Sequence, residues 1–169
     1  VPSINGQIQT DEWINALPVT ITAPGATSTA TLYVFNNDDH LYMAIDDPGN
    51  TSLNTDDQLG LNFDENHDLN WPTTSLAEEG TLWLPWSGSS MNPVFRGLSG
   101  HWPSSVNWAY PMSAVGITCS ASTASGHVQY EARIDLTSSA INTAAGGTMG
   151  AHIYSLDMPD STFTAAWPT

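Results

Sequence analysis

Hydrophobic and polar residues alternate with a period of two along most of the chain, which is typical of strands that bury one face. The clearest pair is 31–35 (Thr-Leu-Tyr-Val-Phe) and 40–45 (His-Leu-Tyr-Met-Ala-Ile), and the Asn-Asn-Asp-Asp sequence between them is typical of a turn. We predict that these two segments form a hairpin. The same alternation predicts further strands within 59–63, 82–86, 128–134 and 150–156.

Helix signals are few. The segment 10–13 (Thr-Asp-Glu-Trp) resembles a capped single turn, and 136–140 is a second candidate. The stretch from Trp86 to Met112 is rich in Gly, Pro and Ser, and we predict long loops there. The chain shows no internal repeat or linker. We therefore predict an all-β protein with minimal helix, a two-sheet antiparallel β-sandwich of jelly-roll-like form in a single domain spanning 1–169.

The charge of the chain limits its partners. The chain contains two arginines, Arg96 and Arg133, no lysine, and 17 Asp and Glu residues, which gives a net charge of −15. Nucleic acid and anionic membranes are bound through Lys and Arg, so neither is expected as a partner. No apolar run approaches the ~18 residues of a membrane-spanning helix. A chain that begins with Val1 has usually been cleaved, most often during secretion, and we predict an extracellular or cell-surface location; trimming in the laboratory is the alternative.

Five segments follow one another in a recognisable order. They are 4–13 (Ile-Asn-Gly-Gln-Ile, then Asp-Glu-Trp), 40–47 (HLYMAIDD), 57–64 (DQLGLNFD), 130–136 (YEARIDL) and the closing Trp167-Pro168. The first resembles the I-D-G-x-I-D-x-x-W opening of family 9 carbohydrate-binding modules, which belong with the DOMON-like β-sandwiches, and the others resemble later motifs of that family.

The resemblance implies a two-sheet antiparallel sandwich that often carries structural calcium. It also implies binding of sugar ends between two tryptophans. Trp167 lies near the place of one such aromatic residue, whereas 53–56 (Leu-Asn-Thr-Asp) has no tryptophan where the other would be expected.

Two groups of acidic residues are candidates for calcium binding. Asp64, Asn66 and Asp68 place oxygen ligands at alternate positions of one loop, which can converge on one ion when the loop curls. The other group consists of Asp46, Asp47, Asp56 and Asp57. The shortage of Arg and Lys favours calcium as the neutralising cation, and ordinary solvated turn acids are the alternative.

Tryptophans crowd one region of the chain. Exposed indole rings can stack on sugar rings, contact another protein or fill the core, and all three roles stay open. The candidates are Trp83, Trp86, Trp102, Trp108 and Trp167.

Motifs for catalysis are missing from the sequence. Glu78 and Glu79 are adjacent, so on a strand they would face opposite ways, and no nucleophile elbow or phosphate loop occurs. We predict that the protein is not an enzyme. A minor alternative is a haem-binding DOMON-like domain, in which Met43 and His152 would hold the iron.

Two functions remain. The first is a calcium-stabilised structural subunit that binds copies of itself outside the cell, in a filament or surface layer. Its N-terminal segment could pair with a neighbour's sheet edge through Val1, Ile4 and Ile8. The alternative is a soluble carbohydrate-binding module that binds polysaccharide through its loop tryptophans.

Overall fold

The computed structural model describes residues 1–64, 67, 79–99, 107–112, 116–137, 147–158 and 162–168, without the side chains of 79, 95–99 and 107–112. Eleven strands lie in these ranges. In chain order they are β1 (Leu17–Ile21), β2 (Ala30–Asn36), β3 (His40–Asp47), β4 (Gln58–Asp64), β5 (Glu79–Pro85), β6 (Val94–Ser99), β7 (Asn107–Met112), β8 (Ile117–Ala124), β9 (His127–Asp135), β10 (Gly150–Asp157) and β11 (Thr162–Trp167).

The strands form two antiparallel sheets. One has five strands in the order β1-β2-β3-β9-β8, and the other has six in the order β11-β10-β4-β5-β6-β7. The prediction of a two-sheet antiparallel β-sandwich is confirmed, and no helix occurs in the described ranges. Accordingly, nothing in the described part of the chain is a helix of the length and hydropathy that a membrane crossing requires.

The core lies between the two sheets and is built by the alternation. Every second residue of the central strands points inward, so the period of two in the sequence becomes one buried face for each sheet. The largest completely buried side chains are Tyr130, Phe63, Leu32, Met43, Ile45, Leu59, Leu61, Leu82, Leu84 and Ile134.

The predicted hairpin at 31–45 is confirmed as β2 and β3, whereas the prediction of loops throughout 86–112 is wrong. That stretch contains β6 and β7, which extend the six-stranded sheet beyond β5. Pro111 suggested a loop because proline cannot donate a ladder hydrogen bond. In β7 it lies on the last strand of the sheet, and one side of this strand pairs with no other described strand.

The segment that precedes β1 folds back over the outer face of the five-stranded sheet. Trp13 is buried against Tyr42 and Ala44, which alternate with the core residues of β3 and therefore face away from the core. Ile4 and Ile8 pack around this cluster, while Val1 is 84% exposed. The proposed pairing of these residues with a neighbouring copy stays a prediction.

Glu131 fixes this segment to the sheet. Its Oε2 accepts hydrogen bonds from the backbone N–H groups of Asn5 (2.8 Å) and Gly6 (2.7 Å), and its Oε1 accepts one from the indole Nε1 of Trp13 (2.8 Å). Gly6 has a φ of +85°, and a Cβ there would lie 2.7 Å from the carbonyl carbon of Ala121. Only glycine suits this position, because the segment crosses β8 in close contact.

We expect the change Glu131→Leu to lower the free energy of unfolding by at least about 3 kcal/mol, because it leaves three N–H donors without an acceptor at about 1–3 kcal/mol each. Glu131→Gln should lower the free energy of unfolding by less. Its amide oxygen can still accept from Asn5 and Gly6, and only the Trp13 indole N–H then meets another donor, the amide NH₂ group. Urea denaturation measures both, with the exposed Thr123→Ala as control. A wild-type midpoint for Glu131→Leu would contradict this role.

Candidate functional site

The outer face of the six-stranded sheet carries a row of three paired residues. Tyr154 on β10 pairs with Gly60 on β4, and Gly60 pairs in turn with Trp83 on β5. Their strand neighbours Leu59 and Leu84 point into the core, so the residues of the row point outward. The sheet therefore presents two aromatic side chains on either side of a glycine.

Gly60 makes the aromatic arrangement possible. A Cβ at Gly60 would overlap the ring of Tyr154, so this ring lies directly over the backbone of β4. From there the Tyr154 hydroxyl forms a side-chain hydrogen bond with Trp83. Burial raises the pKa of Tyr154, an effect that the bond to Trp83 partly offsets, so the phenol stays neutral.

A third ring continues this face toward the sheet edge. Phe163 on β11 meets Tyr154 edge-to-face, with ring centroids 5.2 Å apart and planes at 81°. Phe163 is 39% exposed, whereas Tyr154 is buried beneath its neighbours. Among the described side chains of this face, Trp83 and Phe163 provide the accessible aromatic surface, and Tyr154 contacts both.

Beside Trp83 the surface sinks into a groove of ≈ 270 Å³. Its lining is mostly apolar and has few polar groups, which is typical of sites for small organic ligands. The lining residues are Asp56, Gln58, Trp83, Pro85, Leu156 and Met158. Trp83 is half-buried, so one part of its ring is held by the sheet and the rest is open to a ligand.

A polar ladder runs across the same three strands next to the aromatic row. Thr81 donates its hydroxyl to Oδ1 of Asn62 (2.6 Å), and Nδ2 of Asn62 lies 3.1 Å from Nδ1 of His152. Since the amide NH₂ is a donor, Nδ1 of His152 must accept, which requires a neutral imidazole. Burial lowers the pKa of His152 and favours the same neutral form.

One rim of the groove is fixed by the buried carboxylate of Asp57. Its Oδ2 accepts from the backbone N–H of Asn54 (2.6 Å) and from Nδ2 of Asn50 (3.1 Å), and its Oδ1 accepts from the backbone N–H of Met158 (2.6 Å). The backbone of Trp86 donates to the carbonyl oxygen of Asp57 (2.8 Å). The side chain of Asp57 therefore joins the segments before β4 and after β10, and its backbone adds the segment after β5.

The structure describes five of the seven predicted calcium ligands, namely Asp46, Asp47, Asp56, Asp57 and Asp64. Asp46 accepts from Nε2 of His127 (2.6 Å) and Nε2 of Gln129 (2.8 Å) on the outer face of the other sheet. Asp47 is buried and accepts from Oγ1 of Thr164 (2.6 Å).

Asp56 lines the groove, so Asp46, Asp47, Asp56 and Asp57 do not form a single ligand set. Asp64 ends β4, while Asn66 and Asp68 lie outside the described residues. Within the described ranges, no three His, Cys, Asp or Glu side chains are placed to hold a metal. Calcium binding stays a prediction.

The predicted tryptophans occupy different places. Trp86 packs against the main core, and Trp167 ends β11, where it is 40% exposed. Trp102 lies outside the described residues, and Trp108 belongs to β7 without a described side chain. Of the three with described side chains, Trp83 is the one that lines the groove.

The haem alternative is not supported by the geometry. Met43 is completely buried between the sheets, on the inner face of β3. His152 lies on the outer face of the other sheet, bonded to Asn62. The two side chains therefore cannot ligate one iron.

Comparison with known proteins adds the fold family. No protein-family model matches the sequence, and no curated protein matches it significantly. Two solved structures of a carbohydrate binding module family 9 from Caldicellulosiruptor kristjanssonii are similar, each at 18% sequence identity over 98% of this chain. The one in complex with cellotriose has a TM-score of 0.62 over 78% of its own chain, and the one in complex with glucose has 0.58 over 80%.

The chain has the fold of a family 9 carbohydrate-binding module. The resemblance predicted from the five sequence segments is thereby confirmed at the level of fold.

Sequence reasoning missed Gly60, Tyr154, Asn62 and Thr81 in this family 9 fold. One signal was present, because a glycine in the middle of an alternating strand often marks a close approach by another group.

The change Gly60→Ala should displace the Tyr154 ring and break its bond to Trp83. We expect a loss of about 1–3 kcal/mol in the free energy of unfolding, as for other overpacked sites. Urea denaturation and the NMR shift of the Trp83 indole N–H report the two effects. Gly150→Ala on β10 is the matched control, because its Cβ would approach nothing nearer than 3.3 Å. Equal effects of the two changes would show that the Tyr154 ring does not need Gly60.

The lowered pKa of His152 has a consequence for stability. The folded state binds this proton less tightly than the unfolded chain, so the contribution of His152 is fully present above the ordinary pKa of about 6.5 and is lost as the pH falls below it. The urea midpoint of the wild type should therefore drop more between pH 7 and 5 than that of His152→Gln. An NMR titration of His152 with a midpoint at or above about 6.5 would contradict this.

Proposed function

We propose that the protein is a non-catalytic carbohydrate-binding protein that holds its ligand on the outer face of the six-stranded sheet. The observation that carries this proposal is the position of Trp83, a half-exposed indole fixed by Tyr154 at the side of a groove of ≈ 270 Å³. The ring is held in place before a ligand arrives, so little side-chain entropy is lost on binding.

The chemistry of the groove suits a sugar. One face of a pyranose ring presents C–H groups that pack on an indole, while its hydroxyls need polar partners at the edges. Gln58 and Asp56 provide such partners in the groove itself. The ladder of Thr81, Asn62 and His152 lies on the same face, and its partly exposed members Asn62 and His152 could bond further sugar units.

The comparisons favour this function over the self-assembling subunit. The two solved structures with this fold are described as complexes with cellotriose and with glucose, which supports a neutral sugar as the ligand class of this chain. Assembly into a filament or surface layer gains no support from the fold and stays a prediction. An extracellular location accompanies the binding proposal, because structural polysaccharides lie outside cells.

We expect Trp83→Ala to weaken binding to cellotriose or to soluble neutral β-glucan by about tenfold or more, equivalent to about 1.4 kcal/mol. Isothermal titration calorimetry on cellotriose and affinity electrophoresis in β-glucan gels measure this loss. Trp167→Ala tests the exposed tryptophan at the end of β11, and we expect it to bind as the wild type does.

The control for Trp83→Ala is Leu17→Ala, which changes an exposed apolar residue on the other sheet. Thermal melting of each variant establishes that it is folded. A wild-type protein that binds no neutral glycan, or a folded Trp83→Ala variant that binds as tightly as the wild type, would refute the proposal.

A further inference from the structure

Asp56 stands out in the groove through its backbone. Its φ is +74°, in the left-handed region that residues other than glycine adopt rarely and at a cost of about 1–3 kcal/mol. Aspartate tolerates this region better than most residues, and the cost persists only where the surroundings impose it.

The surroundings do impose it. The backbone N–H of Asp56 donates to the carbonyl oxygen of Trp86 (2.8 Å), and the N–H of Trp86 donates to the carbonyl oxygen of Asp57 (2.8 Å). The side chain of Asp57 is fully buried and bonded to three donors. Asp56 therefore cannot relax without breaking the contacts of its neighbour, and its exposed side chain stays at the groove.

The charge of the groove is one-sided. Of its six lining residues Asp56 is the one with a charged side chain, and no Arg or Lys is among them. The chain has two such cations in all. Arg133 lies on the five-stranded sheet, where its Nη2 donates to Thr118, and Arg96 lies on β6 at the register position of Thr81. A negative ligand in the groove would thus meet the carboxylate of Asp56 and no cation among the described lining residues, within a chain of net charge −15.

We infer that Asp56 is a specificity-determining residue, which selects uncharged, hydroxyl-rich sugar units beside Trp83 and rejects sugars that carry a carboxylate or sulfate. This inference rests on the proposed carbohydrate function and names its substrate class. A carboxylate accepts hydrogen bonds from sugar hydroxyls, and such charge-assisted bonds are stronger than neutral ones. The same carboxylate repels an anionic sugar in the partly desolvated groove.

The test compares a neutral ligand with its acidic counterpart. Cellotriose is set against the same trisaccharide oxidised to a carboxylate at C6, and calorimetry gives both dissociation constants for the wild type and for Asp56→Asn. Asparagine has the same shape and tolerates a positive φ, so the variant removes the charge and leaves the backbone in place. The wild type should prefer the neutral ligand by at least about tenfold, and Asp56→Asn should reduce this preference by about the same factor.

Salt and a distant charge distinguish local from general repulsion. Raising the salt concentration from about 0.05 M to 0.5 M should reduce the wild type's preference, measured as the ratio of its dissociation constants for the acidic and the neutral ligand. The same ratio for Asp56→Asn should stay nearly unchanged, because salt screens exposed charges. Asp38→Asn removes an equal charge from the exposed turn between β2 and β3 and should keep the wild-type preference.

The outcomes separate the two proposals. If the wild type binds cellotriose through Trp83 but Asp56→Asn keeps the full preference, the role of Asp56 is refuted and the carbohydrate function stands. An equal loss of preference in Asp38→Asn also refutes it, since the selection would then come from net charge. If the wild type binds neither ligand nor any other neutral glycan, both proposals fail together.

Discussion

The carboxylate of Asp57 is the interaction on which the groove depends. A buried charge is costly unless it is hydrogen-bonded, and Asp57 meets this demand with three hydrogen-bond donors from two segments of the chain. These donors belong to the β3–β4 connection and to the end of β10, and the backbone of Asp57 also holds Trp86 after β5. The positions of Asp56 and Met158 at the groove therefore follow from one buried residue.

The neighbourhood of Asp57 extends into the core. Burial raises the pKa of Tyr130, and the negative charges of Asp57 and Asp47 raise it further, so this phenol stays neutral beside two buried carboxylates. Asp47 has its own donors in the backbone of Gly49 (3.0 Å) and the hydroxyl of Thr164 (2.6 Å). The scarcity of Arg and Lys favours a bound cation as the partner of these carboxylates. The partners of Asp47 and Asp57 in the structure are instead neutral N–H and O–H groups.

The period of two predicted most of the sandwich because each sheet has one buried face. The central strands β2, β3, β4 and β9 alternate clearly, and sequence alone places them. Strands β6 and β7 are the last two strands on one side of their sheet. Their alternation is weak and β7, at the edge, tolerates proline, so the sequence pattern predicts loops there. Strand β1 lies on the other sheet's edge and was missed for a related reason.

The candidate site was harder to predict than the fold. Trp83 was named from its residue type, but its partners Gly60 and Tyr154 come from strands far apart in the sequence. Only the register of β10, β4 and β5 brings them together, and a single sequence does not specify the register between distant strands. The sequence likewise suggests one shared role for the adjacent residues Asp56 and Asp57. In the structure their side chains lie apart, because Asp56 lines the groove and Asp57 is buried in the interior.

The two outer faces of the sandwich are used differently, and the N-terminal segment explains why. It covers the five-stranded sheet with Ile4, Ile8 and Trp13, whereas Trp83 on the other sheet remains half-exposed beside its groove. The same cover constrains any assembly by strand exchange. Removing this segment would strip Glu131 of its donors, so a copy that gives up its own segment must receive an equivalent one. Reciprocal exchange between copies satisfies Glu131 in each of them, whereas simple addition of the segment to a free sheet edge does not.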